Sequence, residues 1–354
     1  MGARTAKVAL QKETGASKKR LRVLLSITLI ATLAFSLLAG CQPKTTEQEA
    51  LGSEQQAPVA QKVGPVTFTD DLDNEITVED PQRVVATMGS LGMIWELAGG
   101  TLVGISDDVD TSSNYYQVSS DVQRIGDFTS IDLDKVIALE PDLVIMTSAT
   151  TGRADTADQL GYKDALGAAG ITAAYFTVTT FQDYLRMMNV CTQITGRIDL
   201  FRTNAADVKS NIETTLSLVA AVSGSEKPRV LLLTTYSDGV RVQNTKTQTG
   251  SMLSFLNTVN IANENPSLLT DFSLEAVLEA NPDFIFVVPM GENSEAAQKH
   301  LKELTSHPIW GQLGAVKNGD FFTLQPELFL YKPNERWGDA YEALFNYLYM
   351  VQEA

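Results

Sequence analysis

The stretch that decides the fold occurs twice, as IDLDKVIALEPDLVI at residues 131–145 and as FSLEAVLEANPDFIF at residues 272–286. The copies align without a gap at a constant offset of 141 positions, so that Pro141 matches Pro282. Because a helix stops before a proline and an apolar run follows each one, each copy predicts a short helix and then a buried strand. The duplication predicts two lobes that are built alike.

Each copy carries its own start and stop signals. Asp132 and Ser273 stand where an N-cap side chain would accept hydrogen bonds from free backbone N–H groups. The runs at 143–146 and 284–288 are continuously apolar, which is typical of strands in a parallel sheet with helices on both faces.

The segments around the copies alternate in the same way. Further strands are predicted at 83–87, 102–105, 172–176, 229–233 and 320–324, and further helices at 158–169, 294–304 and 336–350. Between the lobes, one apolar stripe at helical spacing predicts a long helix through Phe201, Ala205, Val208, Ile212, Leu216 and Val219. We therefore predict an α/β fold of two Rossmann-like lobes with parallel sheets, joined by one long helix, with a ligand cleft between the lobes.

The first 40 residues have the pattern of a signal peptide. Basic residues precede an apolar stretch that ends in Leu-Ala-Gly before Cys41. This ending resembles the bacterial lipobox, which implies cleavage before Cys41 and attachment of lipid to its thiol, whereas a transmembrane anchor is the alternative. We predict a signal peptide at 1–40, a disordered tether at 41–63, lobes at 64–180 and 224–354, and connecting helices at 181–223.

Composition limits the possible functions. The chain has a net charge of −16, and without residues 1–40 it has 20 basic and 42 acidic residues, a net charge of −22. This charge argues against binding of nucleic acid, and against direct binding of the protein surface to an anionic membrane. The two histidines, His300 and His307, are too few and too widely spaced for a histidine-built metal site, so no metal or cofactor is expected. Cys191 is expected to be a buried small hydrophobe.

Four stretches together resemble one protein family. They are 124–126 leading into 133–145, the connector at 180–219, the second copy at 274–286, and the pair 307–310 and 315–319. In order and spacing they are similar to the substrate-binding lipoproteins of ABC importers for ferric siderophores, haem and cobalamin. The resemblance implies two lobes with a stiff connecting helix, a ligand held between them, and a lipid-anchored position on the extracytoplasmic face of the cell membrane.

The resemblance also implies a partner, the ABC permease dimer with its ATPase. In the cobalamin-binding members an acidic residue of each lobe pairs with permease arginines, and the matching positions here are Asp134 and Glu275. Asp134 departs from the more usual Glu, so its reach is shorter by one methylene. Stabilisation of a helix N-terminus by an acidic side chain is the alternative role for both residues.

Ligands of open parallel sheets bind beyond the carboxyl ends of the strands. Aromatic rings give flat contact surfaces there, and arginines give planar hydrogen-bonding forks. The candidates are Met88, Ser90, Tyr115, Tyr116, Arg153, Tyr236, Arg241, Glu327, Tyr331, Arg336 and Trp337. Packing of the last helix is the alternative for Tyr331 and Trp337, and a solvated loop charge is the alternative for Arg153 and Arg241. Arg336 stands near a helix start, where a cation needs a compensating partner.

These residues favour a small-molecule binding protein over an enzyme, since the loops contain no nucleophile motif, phosphate loop or histidine base. The cargo expected is an iron complex, with a ferric siderophore favoured. Haem would require an axial tyrosine, because both histidines lie in other stretches. Cobalamin, a receptor that signals to a membrane sensor, and an extracytoplasmic enzyme using the cleft remain as alternatives.

Overall fold

The computed structural model describes residues 64–111, 116–148, 157–290 and 295–350. Cys41, Tyr115 and Arg153 lie outside the described residues, as do the predicted signal peptide and tether. The boundaries of the two lobes stay a prediction.

The first lobe contains a parallel sheet. Its elements in chain order are β1 (Val66–Thr69), β2 (Glu75–Val78), β3 (Val84–Ala86), α1 (Gly89–Leu97), β4 (Gly104–Ile105), β5 (Gln123–Arg124), β6 (Gly126–Asp127), β7 (Ser130–Ile131), α2 (Leu133–Ala138), β8 (Leu143–Thr147), α3 (Ala157–Ala168) and β9 (Thr172–Phe176). Five strands form a sheet in the order β5-β4-β3-β8-β9, and every neighbouring pair is parallel. The predicted parallel sheet is confirmed for this lobe.

The connector is helical, as predicted. Its elements are α4 (Phe181–Thr195), α5 (Ile198–Phe201), a π-helical turn (Arg202–Ala206) and α6 (Asp207–Val222). The helix therefore runs without a break from Ile198 to Val222, but with a widened turn that the apolar stripe did not predict. In that turn the Tyr184 hydroxyl donates to the Asn204 carbonyl at 2.6 Å.

The second lobe has a mixed sheet. Its elements are β10 (Arg229–Tyr236), β11 (Gly239–Gln243), α7 (Gln248–Phe255), β12 (Val259–Asn260), α8 (Ile261–Glu264), α9 (Leu274–Ala280), β13 (Phe284–Pro289), α10 (Glu295–Ser306), α11 (Gly314–Asn318), β14 (Phe321–Thr323), α12 (Pro326–Phe329) and α13 (Trp337–Tyr349). The order β11-β10-β13-β14 is parallel except for β11, which forms an antiparallel hairpin with β10. The predicted parallel sheet is present, and the antiparallel edge strand β11 is an addition that the sequence analysis did not predict; Ser237 and Asp238 form the tight turn that leads into it.

The repeated units make the same hydrogen bonds in both lobes. Asp142 Oδ2 accepts from the backbone N–H groups of Gln82 at 2.8 Å and Arg83 at 2.9 Å, at the entry to β3. Asp283 Oδ2 accepts from the backbone N–H of Arg229 at 2.8 Å, at the start of β10. The aspartate after each proline therefore fixes the first strand of its own five-stranded sheet.

The short helices begin and end alike as well. The Asp132 carboxylate accepts from the Lys135 N–H at 3.1 Å, and the Ser273 hydroxyl accepts from the Ala276 N–H at 3.3 Å, which confirms both predicted N-caps. After the helices, Glu140 and Asn281 both have a φ of 45°. Asn tolerates this left-handed region, whereas most L-residues are strained in it.

The core is buried on both faces of the sheets. Along β10, Val230 and Leu232 enter a large apolar cluster that also contains Trp95 of α1, Ile212 of the connector and Trp337 of α13. Leu231 and Leu233 point to the opposite face, into a second cluster. Burial of both faces of the strand explains why the apolar runs in the sequence are continuous and do not alternate with polar residues. Cys191 is buried in the large cluster, and burial raises the pKa of its thiol to about 12.

Within the described part of the chain, no helix has both the length and the apolar character that crossing a membrane requires.

The shared left-handed position allows a test on stability. The free energy of unfolding of Glu140→Asn should exceed that of Glu140→Gln by about 1 kcal/mol, because of these two residues only Asn adopts this backbone conformation readily. In the other lobe, Asn281→Gln should have a free energy of unfolding that is lower than that of the wild type by a similar amount. Both comparisons are made between neutral amides, which separates backbone strain from charge near the helix end. Equal denaturation midpoints for the Asn and Gln variants would show that the position carries no strain.

Candidate ligand-binding cleft

A cavity of about 420 Å³ lies between β10 and the residues that follow β9, within the size range of about 300–1,000 Å³ common for small-molecule sites. Leu232, Thr234 and Tyr236 point into it from one face of β10, since alternate residues of a strand share a face. The residues lining the cavity are Val178, Thr179, Leu232, Thr234, Tyr236, Gln243, Lys246, Thr247, Gln248, Thr249, Val288, Phe329, Leu330 and Lys332.

The lining is polar and locally basic. Lys246 and Lys332 both line the cavity, and none of the described lining residues is acidic. The whole chain carries a net charge of −16, so the cavity has the opposite sign to the protein around it. The Thr234 hydroxyl and the Gln243 amide also line the cavity and can donate hydrogen bonds. This lining suits an anionic molecule rich in hydrogen-bond acceptors.

The first turn of α7 holds one wall of the cavity in place. Gln248 Nε2 donates to the carbonyls of Leu328 and Tyr331, each at 3.1 Å, and the Thr249 hydroxyl donates to the carbonyl of Phe329. These bonds tie the segment after β14 to the start of α7. Lys332 follows directly, on a backbone fixed by the bond to Tyr331.

Gly250 lets the loop that carries Lys246 pack against α7. A Cβ atom at Gly250 would overlap the Asn244 carbonyl oxygen, and the Thr247 hydroxyl donates to that same oxygen at 3.0 Å. The Thr247 hydroxyl also accepts from the Gly250 N–H at 3.3 Å as the N-cap. The absence of a side chain at Gly250 therefore decides the position of the loop.

Lys332 reaches from the second lobe to the first. Its Nζ lies 3.6 Å from Met88 Sδ, at the start of α1. Desolvation lowers the pKa of the Lys332 ammonium to about 8, and the negative charge of Asp108 opposes this shift. Lys332 is half-buried, and its ammonium lies beside Met88 and Asp108 at the wall of the cavity.

Asp108 lies in a short 3₁₀ helix (Asp107–Thr111) and caps the first helix from there. Its Oδ1 and Oδ2 lie 3.0 and 3.1 Å from the Gly89 nitrogen, and the Ser106 hydroxyl also donates to it. Burial raises the pKa of Asp108, whereas these hydrogen bonds and the charge of Lys332 lower it. Met88, the N-cap residue of α1, makes no side-chain hydrogen bond to the helix. The Asp108 carboxylate therefore takes the place of an N-cap side chain.

Three of the predicted contact residues, Met88, Ser90 and Tyr236, lie at or near the cleft, whereas Tyr116 bonds elsewhere. Tyr236 lines the cavity, and Met88 is buried beside Lys332. Ser90 is buried as well, and its carbonyl accepts from Asn334 Nδ2 at 3.3 Å, a hydrogen bond between the two lobes. Tyr116 is half-buried, and its hydroxyl donates to the Glu96 carboxylate rather than lining the cavity.

Other predicted contacts have different surroundings. Arg241 lies in β11, makes a two-point ion pair with Asp238 at 2.7 and 3.0 Å, and stacks 4.7 Å from the Tyr236 ring centre. It does not line the cavity, although Gln243 of the same strand does, and residues 239–243 form a strand where a loop was predicted. Arg336 is exposed, and Asp339 at 3.1 Å provides the compensating partner that its position requires.

Near the start of the last helix, the structure favours the packing alternative for Trp337. Trp337 is fully buried and packs against the Phe181 ring, so it belongs to the core and not to the cleft surface. Tyr331 and Glu327 do not line the cavity, although the Tyr331 carbonyl helps to anchor the wall.

Sequence reasoning missed the two lysines. A lysine in a polar loop has the composition of a solvated surface residue, so neither was singled out. The available signal was position, since Lys332 stands next to the predicted Tyr331, and Lys246 precedes the Thr247 cap. Among the described residues no cluster of His, Cys, Asp and Glu could hold a metal ion.

Comparison with known proteins places the chain in a family. The model of the family described as periplasmic binding protein matches residues 84–328. The chain belongs to the periplasmic binding protein family. Its members are binding proteins and not enzymes, in agreement with the sequence prediction. The structure agrees with the two-lobed type found in this family.

Individual relatives agree with this assignment. An uncharacterised ABC transporter substrate-binding lipoprotein of Bacillus subtilis, YvrC, is 24% identical over 303 residues, covering 84% of this chain and 88% of YvrC. The high-affinity heme uptake system protein IsdE of Staphylococcus aureus is 23% identical over 279 residues, covering 78% of this chain and 90% of IsdE. The structure of the siderophore-binding protein BauB, bound to acinetobactin and ferric iron, matches with a TM-score of 0.62 at 14% identity, covering 81% and 100%.

The contact at Gly250 can be tested by substitution. Gly250→Ala should lower the free energy of unfolding by about 1–3 kcal/mol, because the loop of Asn244 must move away from α7. Gly161→Ala is the matched control, since Gly161 is exposed in α3 with open space around it and Ala is the better helix former by about 0.5–1 kcal/mol. Urea denaturation compares the two variants. Equal stabilities would contradict the close packing of this loop.

Proposed function

We propose that this protein captures an iron complex outside the cytoplasmic membrane and delivers it to an ABC permease. In this proposal Cys41 carries the lipid anchor, and the tether at 41–63 gives the binding domain its reach. The cargo binds in the cavity beside β10. The observation that carries the proposal is the pair of lysines in a cavity without a described acidic lining residue, within a strongly acidic chain.

A ferric siderophore is the favoured cargo. Such a complex wraps iron in oxygen ligands and leaves an outer surface rich in acceptors, which the ammonium groups of Lys246 and Lys332, the Thr234 hydroxyl and the Gln243 amide can bind. The iron stays within the chelate, so the protein needs no metal ligands of its own. The BauB complex provides an example of a structurally similar protein whose cargo is such a chelate.

Haem is the second candidate, favoured by a specific observation. Tyr236 lines the cavity, and a tyrosine is one of the side chains that can ligate haem iron. The relative IsdE belongs to a heme uptake system.

Binding measurements separate these candidates. Wild-type protein should bind a ferric siderophore at micromolar concentration or below in calorimetric titration, and Tyr236→Phe should retain that affinity within about threefold, because only one hydroxyl is lost. If haem is the cargo, Tyr236→Phe should instead abolish the absorption band of the ligated iron. Cyanocobalamin is included as the third arm. Failure of all three classes to bind would refute the cargo assignment.

The docking acids remain part of the proposal. Asp134 and Glu275 are both exposed in the first turns of α2 and α9, at matched positions. The backbone N–H of Glu275 and the Ser273 hydroxyl lower the pKa of Glu275, which keeps it ionised. Two exposed acids, one in each lobe, suit a two-point contact with basic residues of a permease.

Charge reversal tests the docking role. The double variant Asp134→Lys/Glu275→Lys should lose cellular uptake of labelled cargo while the purified protein binds the cargo as before, because neither residue lines the cavity. Glu213→Lys, an exposed charge reversal on α6, is the matched control and should leave uptake unchanged. A loss of cargo affinity in the double variant would assign the two acids a structural role.

A further inference from the structure

The backbone around Lys332 is fixed on both sides. Before it, the Tyr331 carbonyl is bound by Gln248 at 3.1 Å. After it, Asn334 is fully buried and donates to the Ser90 carbonyl at 3.3 Å in the other lobe. Pro333 restricts the chain between these anchors. Lys332 therefore starts from a rigid position at the contact between the lobes.

The Lys332 ammonium has two neighbouring environments. On one side are Met88 Sδ at 3.6 Å and the charge of Asp108, both in the first lobe. On the other side is the cavity, because Lys332 is one of the lining residues. Asp108 already accepts from Ser106 and Gly89 within its own lobe. A lysine that served only to neutralise Asp108 would not need to line the cavity.

We propose that Lys332 selects cargo by charge, with its ammonium donating to an anionic oxygen of the bound molecule while Asp108 holds the side chain in place before cargo arrives. This assignment rests on the proposed function, because it concerns the same cavity. It names the cargo as anionic, and it makes Lys332 the residue that discriminates anionic from neutral complexes. The half-buried position of Lys332 supports this role, since a partly desolvated charge interacts more strongly with a ligand than a charge in bulk water does.

The assignment has a consequence for pH. At pH values well below 8 the free protein already carries the Lys332 ammonium, so this group gives the affinity for an anion no pH dependence there. A bound anion stabilises the ammonium and raises its pKa in the complex. Above pH 8, binding must therefore take up a proton, and affinity falls as pH rises, by up to about tenfold per unit.

Several other groups surround Lys332 and must be separated from it in a pH profile. They are Asp108 in the 3₁₀ helix after β4, Lys246 and Tyr236 on the cavity wall, and Glu335 and Arg336 on the same segment as Lys332. All of them are retained in variants of Lys332. Any pH dependence that persists in a Lys332→Arg variant therefore belongs to these groups, since a guanidinium does not titrate in this range.

The test uses the purified protein with four probes of known charge. Ferric citrate and haemin carry anionic carboxylates, whereas ferrichrome and cyanocobalamin are nearly neutral. Lys332→Met should weaken binding of an anionic probe roughly tenfold or more, while a neutral probe changes by less than about twofold. Lys209→Met, an exposed change on α6, is the control and should alter neither.

The pH profile of the affinity provides a second measurement, because it would not change in the variants if Lys332 had a purely structural role. Wild-type affinity for the anionic probe should fall between pH 8 and 9.5, Lys332→Arg should remove this fall while keeping affinity, and Lys332→Met should be weak throughout. If Lys332→Met destabilises the fold, the double variant Asp108→Asn/Lys332→Met removes both charges, and it should show the same loss for anionic probes alone.

The outcomes distinguish the two proposals. If an anionic probe binds and neither Lys332 variant changes its affinity or pH profile, the selectivity role is wrong and the proposed function stands. If Lys332→Met weakens anionic and neutral probes equally, Lys332 is a structural residue and the assignment falls. If neutral probes alone bind the wild type, the assignment of anionic cargo is wrong. If no probe binds, both proposals fall.

Discussion

The carboxylate that follows the proline in each repeated unit is the constraint on which the rest of the structure depends. Asp142 and Asp283 accept hydrogen bonds from the backbone at the entry to β3 and β10. These strands lie inside their sheets, each with strands on both sides. Their positions therefore set where the chain leaves each sheet. Met88 and Tyr236 stand at those exits, so the same bond that orders the sheet also positions the cleft.

The cleft depends on hydrogen bonds that cross between distant segments. Gln248 and Thr249 bind the carbonyls of residues 328–331, and Asn334 binds the Ser90 carbonyl of the other lobe. Backbone carbonyl groups can accept these hydrogen bonds whatever side chains their residues carry. The wall that presents Lys332 is consequently rigid, and a basic site exists within an acidic protein because its two lysines are brought together from separate loops.

Sequence reasoning was accurate where periodicity and local capping dominate. The strand predicted at 172–176 matches β9, the predicted caps at Asp132 and Ser273 are present, and the connector is helical from Ile198 to Val222. It was wrong where a few residues make a turn. The hairpin of β10 and β11 moved Arg241 onto a strand beside Asp238, and the packing of α13 placed Trp337 in the core. Aromatic and basic residue types alone do not distinguish a cleft surface from a core or an ion pair.

The sequence by itself determined the duplicated α/β architecture, because the spacing of apolar residues and the proline stops act over a few neighbouring positions. It also determined the family, since the matched segments extend over residues 84–328. Only the tertiary structure decided which polar side chains meet. Lys246 and Lys332 are 86 positions apart and share no local pattern. Their convergence follows from the bonds of α7 to the segment after β14, which are tertiary interactions and leave no periodic trace in the chain.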